Sequence, residues 1–400
     1  MARKVAIVAT GQTKYQKKKF NYSSPDMYFE VVTRCLEDAN LTINDIDAVV
    51  FGIGPEALDG VNNVDKWCAD AVGARNKPIM RINTGGATGG STALAGFDHV
   101  ASGMFDVVLV VAGQRMGEST AHSQYILSLG FDPIIAKPVS INSLPLFSGD
   151  ALICMEKYGF DEYHMARIAV KNHLNALNNP YAHVQVNTDM EKALEAKFLA
   201  YPLRLLDMCP TSEGACAIIV ASGERAREIT ARPAWVNGYT AEATIINPGL
   251  EGVDSTYSWD RISQRAYKMA GIDNPRKQIQ VAEPYIPVSY QEIPAYAAFG
   301  FCEPDEVTRL VEEGFGEMDG EVPFCPSGGC LCSNTIGASG LARVAEAAIQ
   351  VMGKADARQV PDVKNALAMA GGGIFGTGGM TAFFVDVIIL GSEPAQSKID

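Results

Sequence analysis

The sequence predicts an α/β protein made of two similar halves. Three observations carry that reading: a glycine turn that occurs twice, an Ala-rich helical stretch after each copy, and an apolar strand beyond each helix. The turns are Gly86-Ala87-Thr88-Gly89 and Gly337-Ala338-Ser339-Gly340. The first leads into Ser91 to Gly103 and then the apolar run Val107 to Val111; the second leads into Leu341 to Gly353 and an apolar run from Ala366. A helix start presents several unbonded N–H groups and attracts negative charge. Glycine lets a ligand approach that backbone closely. Two such turns meeting across a pseudo-twofold axis would form a site that stabilises an oxyanion.

The elements follow in order from hydrophobic periodicity and turn residues. A strand is expected near Lys4 to Val8, a helix from Ser24 to Ala39, a strand from Ala48 to Phe51 and a helix near Asn62 to Val72, before the first glycine turn with its helix and strand. This alternation favours a mostly parallel sheet with helices on its faces. From Arg115 to Asp207 the pattern changes to helices and loops rich in Asn, His and Tyr, such as Asp161 to Leu177, and an insertion over the sheet is expected there. Strands return at Cys216 to Ala221 and at Pro233 to Gly238. A helix from Arg261 to Ala270, a strand from Gln278 to Ala282, a helix from Pro304 to Glu313, the second turn with its helix, and strands near Ala366 and at Phe383 to Leu390 complete the second half. The expected division is residues 1–114 with 208–228 as the N-terminal half, 115–207 as the inserted loop domain and 229–400 as the C-terminal half.

The chain has 400 residues, 47% of them hydrophobic, enough for two or three packed units with a large core. Its formal charge of -13 and the lack of a Lys/Arg stripe argue against a nucleic-acid surface. No stretch approaches the roughly 20 apolar residues of a membrane helix, and the opening residues do not resemble a secretory leader, so a cytoplasmic location is expected. The nine cysteines then read as reduced thiols. Cys330 and Cys332 lack zinc-knuckle spacing and have no nearby His, so no metal site is expected. The run Gly371-Gly372-Gly373, with Gly376, Gly378 and Gly379 beyond it, is dense enough to be a ligand-facing loop.

An ordered set of segments gives the chain a resemblance to a known family. It comprises Met155-Glu156-Lys157-Tyr158-Gly159, Ile168 to His173, Asn179-Pro180-Tyr181-Ala182, Pro202 to Asp207, Pro326-Ser327-Gly328-Gly329, and Ile336 to Gly340. Together they resemble the thiolase superfamily, within it the sterol-carrier and lipid-transfer branch. Glu283-Pro284-Tyr285-Ile286-Pro287 and Ser333 to Gly337 further resemble the large subunit of benzoylsuccinyl-CoA thiolase and its relatives. The resemblance implies two βαβαβαββ halves stacked in five layers (αβαβα), an inserted loop domain and a homodimer core. It also implies acyl-CoA substrates, coenzyme A as a substrate with no covalently bound cofactor, and a small zinc-ribbon and OB-fold partner subunit. Contacts to coenzyme A are expected at Ser327, Gly328, Gly329 and Ser339.

The chain departs from that family at the positions that carry its chemistry. Gly86, or Gly85 if the turn is slipped by one, aligns with the nucleophilic Cys, Asn334 with one catalytic His, Ala282 to Tyr285 with the segment of a second, and Met369 with the C-terminal Cys. All five histidines lie at or before His183, so a register error cannot restore either one. Hydrogen-bond donors for an oxyanion remain in the backbone N–H groups of Gly86 and Gly372 or Gly373 and in the Asn334 amide. Three readings stay open. The first is CoA-dependent thiolysis of a branched or aromatic 3-oxoacyl-CoA through a relocated thiol, with Cys332 first and Cys330 next, both on one face of an extended segment. The second is retro-aldol cleavage of a 3-hydroxyacyl-CoA without a thiol, using Glu283, Tyr285 and Tyr290 for proton transfer. The third is a catalytically degenerate acyl-CoA-binding subunit.

Overall fold

Strand pairing organises the molecule around a single twofold-like junction. The computed structural model describes residues 3–119, 122–130, 138, 142–244, 257–372 and 383–395. Its strands are β1 (Val5–Gln12), β2 (Ala48–Ile53), β3 (Ile79–Ile82), β4 (Val107–Arg115), β5 (Phe198–Ala200), β6 (Leu203–Arg204), β7 (Glu213–Ser222), β8 (Ala234–Thr244), β9 (Val281–Pro284), β10 (Asn365–Gly372) and β11 (Phe383–Gly391). Nine of them form one array in the order β3-β2-β4-β7-β1-β8-β11-β10-β9, and β5 pairs only with β6.

The array is two copies of one pattern joined back to back. In the first half β2 is parallel to β3 and β4, while β7 is antiparallel to β4 and β1. In the second, β10 is parallel to β9 and β11 is antiparallel to β10 and β8. A parallel bridge from Ala282 to Phe324 stands where a counterpart of β3 would lie. The halves meet where Ala6 and Ile7 pair antiparallel with Trp235 and Ala234. The expectation of a mostly parallel sheet is therefore corrected to a mixed one. Parallel neighbours need a helical crossover, and β4 instead reaches β7 through the insertion.

Helices complete the layers. Thr88–Ala101 and Ser339–Met352, the helices that follow the two glycine turns, pack on each other and on strands of both halves. Ser24–Ala39 covers β1 and β7 from outside, and Tyr257–Ala270 covers β8 and β11. The result is the expected αβαβα stack of five layers. Ser339–Met352 is buried along its whole length, as its Ala-rich sequence allows in a middle layer. The helix Ser24–Ala39 starts where the sequence predicts because Ser23 and Asp26 form a reciprocal capping box, and it stops at Asn40 in the left-handed region. Between β4 and β7 the helices Leu144–Tyr158, Glu162–Ala176 and Met190–Glu195 precede the small sheet. Glu162–Ala176 lies against Ser289–Gln291 and the turn Gly329–Cys332 of the second half.

The two middle helices approach so closely that side chains are excluded. A Cβ on Gly89 would lie 2.1 Å from the backbone N of Leu341, and one on Gly340 would lie 2.8 Å from the N of Gly90 and 2.7 Å from Cβ of Ala370. Because the obstacles are backbone and packed Cβ atoms, a methyl group cannot be absorbed by a rotamer change. Gly340→Ala is expected to lower stability by about 2–3 kcal/mol, measured by urea unfolding of the variant beside the parent protein.

Candidate active site

Each glycine corner sits on the strand ends of the opposite half. A Cβ on Gly86 would meet the carbonyl O of Gly371 at 2.6 Å and Cα of Gly372 at 3.2 Å; one on Gly337 would meet the carbonyl O of Gly113 at 2.6 Å and the N of Gly54 at 2.9 Å. The corners thus exchange partners across the pseudo-twofold axis. Gly373, Gly376, Gly378 and Gly379 lie outside the described residues.

The corners are alike in their hydrogen bonds as well as in their glycines. In the first, Oδ1 of Asn83 accepts from Gly85 N at 3.1 Å and Oγ1 of Thr88 accepts from Thr84 N at 3.0 Å. In the second, Oδ1 of Asn334 accepts from Ile336 N at 3.3 Å and Oγ of Ser339 accepts from Thr335 N at 2.9 Å. The repeat therefore begins at Asn83 and Asn334, three residues upstream of the Gly-Ala pairs that first reveal it. Asn334 is the structural counterpart of Asn83, and its amide is oriented by the turn.

That orientation decides what Asn334 presents. Its Oδ1 also accepts from the Ser339 hydroxyl at 2.8 Å and from the Tyr285 hydroxyl at 3.1 Å. Three donors on one oxygen leave Nδ2 as the outward group, and it donates to Sγ of Cys209 at 3.0 Å. Tyr285 is held by its backbone N–H, which donates to Met369 O at 2.9 Å. The Tyr285 hydroxyl lies 3.5 Å from the place a Cβ on Gly86 would take. Tyr285, Asn334, Gly86 and Gly372 thus come together. Ser339 joins them through Asn334: it positions that amide.

Other expected site residues serve the frame instead. Glu283 is fully buried and paired with Arg343 at 2.5 Å, while Ser327 donates to it from its backbone N at 2.9 Å and from its hydroxyl at 3.1 Å. Burial raises its carboxyl, and the adjacent Arg343 guanidinium opposes that shift. With both oxygens engaged, Glu283 is corrected from an acid/base to half of an internal ion pair. The turn Ser327-Gly328-Gly329 is likewise corrected as a coenzyme A contact. It is buried within the chain, and a Cβ on Gly328 would lie 2.6 Å from Cβ of Ala176.

Cys332 is also displaced from the expected place. Gly328 and Gly329 both take positive φ, and they start a short helix, Gly329–Cys332, where an extended segment was expected. Cys330 and Cys332 therefore enter different apolar clusters. Sγ of Cys332 lies 3.5 Å from Nδ1 of the buried His173, whose Nε2 is 3.3 Å from Leu206 O. Burial raises the thiol and lowers the imidazole, so both are neutral. Tyr290 is buried and its hydroxyl donates to Asp150.

The thiol beside Asn334 is Cys209, which is not among the expected site residues. An antiparallel bridge between Met208 and Val288, and a 2.9 Å bond from Cys209 N to Pro287 O, bring its loop beside Tyr285. Cys209 is half-buried, as are Thr84, Gly85, Gly86 and Ile336 of the two corners. Burial pushes its thiol up to about 11 even though the Asn334 amide faces it. Among the described residues no His, Cys, Asp and Glu cluster is arranged to hold a metal ion, and no helix is long and apolar enough to cross a membrane.

Comparison with known proteins agrees with this architecture. The profile described as the thiolase N-terminal domain matches residues 5–224, and the one described as thiolase C-terminal domain-like matches residues 253–383. Acetyl-CoA acetyltransferase of Methanothermobacter thermautotrophicus is 29% identical over 95% of this chain and 99% of its own length. Sterol carrier protein 2 of Gallus gallus is 27% identical over 92% of this chain and 69% of its own. The solved Ltp2-ChsH2(DUF35) aldolase superposes with a TM-score of 0.81 at 24% identity, covering 100% of this chain and 99% of that one. Human mitochondrial 3-ketoacyl-CoA thiolase superposes at 0.69 and 16% identity, covering 99% of each chain. With its N-terminal profile spanning more than half of the sequence and the duplicated fold complete, the chain belongs to the thiolase superfamily, with sterol carrier and lipid-transfer proteins among its relatives.

Proposed function

We propose that this chain is a carbon–carbon lyase of retro-aldol type acting on a 3-hydroxyacyl-CoA. One observation carries the reading: the place of the family's nucleophile is closed by the carbonyl O of Gly371, 2.6 Å from where a Cβ would begin, and a phenol stands beside it. A retro-aldol cleavage needs no thiol. The C2–C3 bond breaks, its electron pair passes to C2 as a thioester enolate, and C3 leaves as a carbonyl. Charge on the thioester oxygen is met by Nδ2 of Asn334 and by N–H groups of the corners. Burial raises the Tyr285 phenol well above its ordinary value, so it stays protonated and serves as the acid that protonates C2.

Thiolysis of a branched or aromatic 3-oxoacyl-CoA is the second reading, and Cys209 is the observation that favours it. Its sulfur accepts from the Asn334 amide, and the residue is half-buried. Against it stands the raised thiol, since the thiolate is the reactive form. An acyl-CoA function is common to both readings, as the relatives support. A small partner subunit is part of the proposal, and the name of the Ltp2-ChsH2(DUF35) neighbour supports it; that this partner carries a zinc ribbon and an OB-fold rests on the sequence resemblance alone. Pairing of two copies is supported by β3, an edge strand that exposes Ile79 and Met80.

Tyr285→Phe is expected to lower cleavage of 3-hydroxyacyl-CoA esters about a hundredfold, followed as release of the carbonyl product. Cys209→Ala separates the readings: lyase turnover survives it, whereas acyl transfer through that sulfur is lost. Alkylation of Cys209 by iodoacetamide, read by peptide mass spectrometry, should be slow at neutral pH. It should accelerate about tenfold per pH unit until the thiol titrates near 11, as only the thiolate reacts.

A further inference from the structure

A buried carboxyl lies behind the first glycine corner and is wired to it. Asp386 on β11 is 1% exposed, and it lies opposite Ala370 of β10 and Ala241 of β8. Its Oδ2 accepts from the Ser91 hydroxyl at 2.8 Å, and Ser91 Oγ lies 2.8 Å from Thr84 Oγ1. A Cβ on Gly90 would sit 2.7 Å from the same Oδ2, so the corner helix rests directly on the carboxyl. Its other oxygen, Oδ1, has no hydrogen-bond partner among the described residues. A structural carboxyl on an apolar strand would be expected to use both oxygens.

The direction of the bonds sets what the chain of groups can do. Ser91 spends its proton on Asp386, so the Thr84 hydroxyl donates to Ser91. Thr84 Oγ1 is thereby left as an acceptor at the half-buried turn that leads into Gly85 and Gly86. Every proton in the wire points inward, toward the carboxylate. We infer that Thr84, Ser91 and Asp386 form a proton relay that takes up the proton lost by the substrate's 3-hydroxyl as the C2–C3 bond breaks. The substrate proton passes to Thr84 Oγ1, the Thr84 proton to Ser91 Oγ, and the Ser91 proton to Asp386 Oδ2. The O–H electron pair becomes the second bond of the C3 carbonyl, and the enolate takes its proton from Tyr285. The proton held by Asp386 then returns outward through Ser91 and Thr84 to water, and one from water restores Tyr285, so the cycle consumes no other reactant.

The environment suits a group that changes charge near neutrality. Burial pushes the Asp386 carboxyl up to about 7, against the opposing hydrogen bonds of the Ser91 hydroxyl and backbone. The groups facing it, Ser91, Gly90, Ala370 and Ala241, are uncharged. The ionised form is the one that accepts, so turnover should rise as pH increases through about 7.

This inference rests on the lyase reading, and one experiment distinguishes their failures. The pH profile of 3-hydroxyacyl-CoA cleavage is measured for the parent protein, Asp386→Asn, Ser91→Ala and Thr84→Val, with thermal unfolding of each. The relay predicts at least a tenfold loss in both hydroxyl variants and about a hundredfold loss in Asp386→Asn. It also predicts that the limb near pH 7 vanishes in Asp386→Asn. Should Asp386→Asn fold poorly, the two hydroxyl variants, which leave β11 intact, give the answer. Parent-like rates with the limb retained in folded variants overturn the relay and leave the lyase standing. Absence of cleavage by the parent protein overturns the lyase reading itself.

Discussion

The contact on which the rest of this structure depends is the crossing of two helix starts at Gly89 and Gly340. With no side chain on either residue, backbone meets backbone, and the duplicated halves share one middle layer. From that closeness follows the exchange of corners: Gly86 reaches the end of β10, and Gly337 reaches the ends of β2 and β4. The positive ends of two long helices then point into one small volume. In the proposed reading this packing, before any reactive side chain is considered, is what favours developing negative charge.

What fills that volume is the basis of the lyase proposal. The carbonyl of Gly371 and the Tyr285 phenol occupy the surroundings of residue 86, and three bonds to Oδ1 of Asn334 aim its amide the same way. Behind them the Glu283–Arg343 pair, bridged by Ser327, fixes β9 to the middle helix. Severing one partner of such a pair typically costs about 3–5 kcal/mol, so its service is to the frame. The acidic group most obvious in the chain near Tyr285 is thus half of an internal ion pair, whereas the carboxyl of the proposed relay comes from a strand that contributes nothing else polar to the middle layer.

The fold was largely legible in the sequence because its signals are local. Glycine turns, hydrophobic periodicity and apolar runs placed the strands and the long helices, and the repeat revealed the duplication. Asn334 and Tyr285 were legible because they stand at positions of a recognisable motif. Other parts depend on distant partners. Arg343 neutralises Glu283 across 60 positions of chain. Ser91 meets Asp386 across 295. Cys209 reaches the site only through pairing of its loop with Val288, and Cys332 was misplaced because two successive positive-φ glycines turn an apparent strand into a helical turn. The longer repeat from Asn83 and Asn334 was present in the sequence, and it would have shown that Asn334 belongs to the turn as well as to the lost histidine's place.

The central claim is that carbon–carbon cleavage here proceeds with no sulfur nucleophile and no acyl acceptor. It is tested most directly by supplying 3-hydroxyacyl-CoA esters to the full chain, with its partner subunit if one co-purifies, and following the carbonyl product and free coenzyme A together. The account predicts a shortened acyl-CoA and an aldehyde or ketone in equal amounts, formed without added coenzyme A and without its consumption. Cleavage only of 3-oxoacyl-CoA esters, with one coenzyme A consumed per turnover, would contradict it.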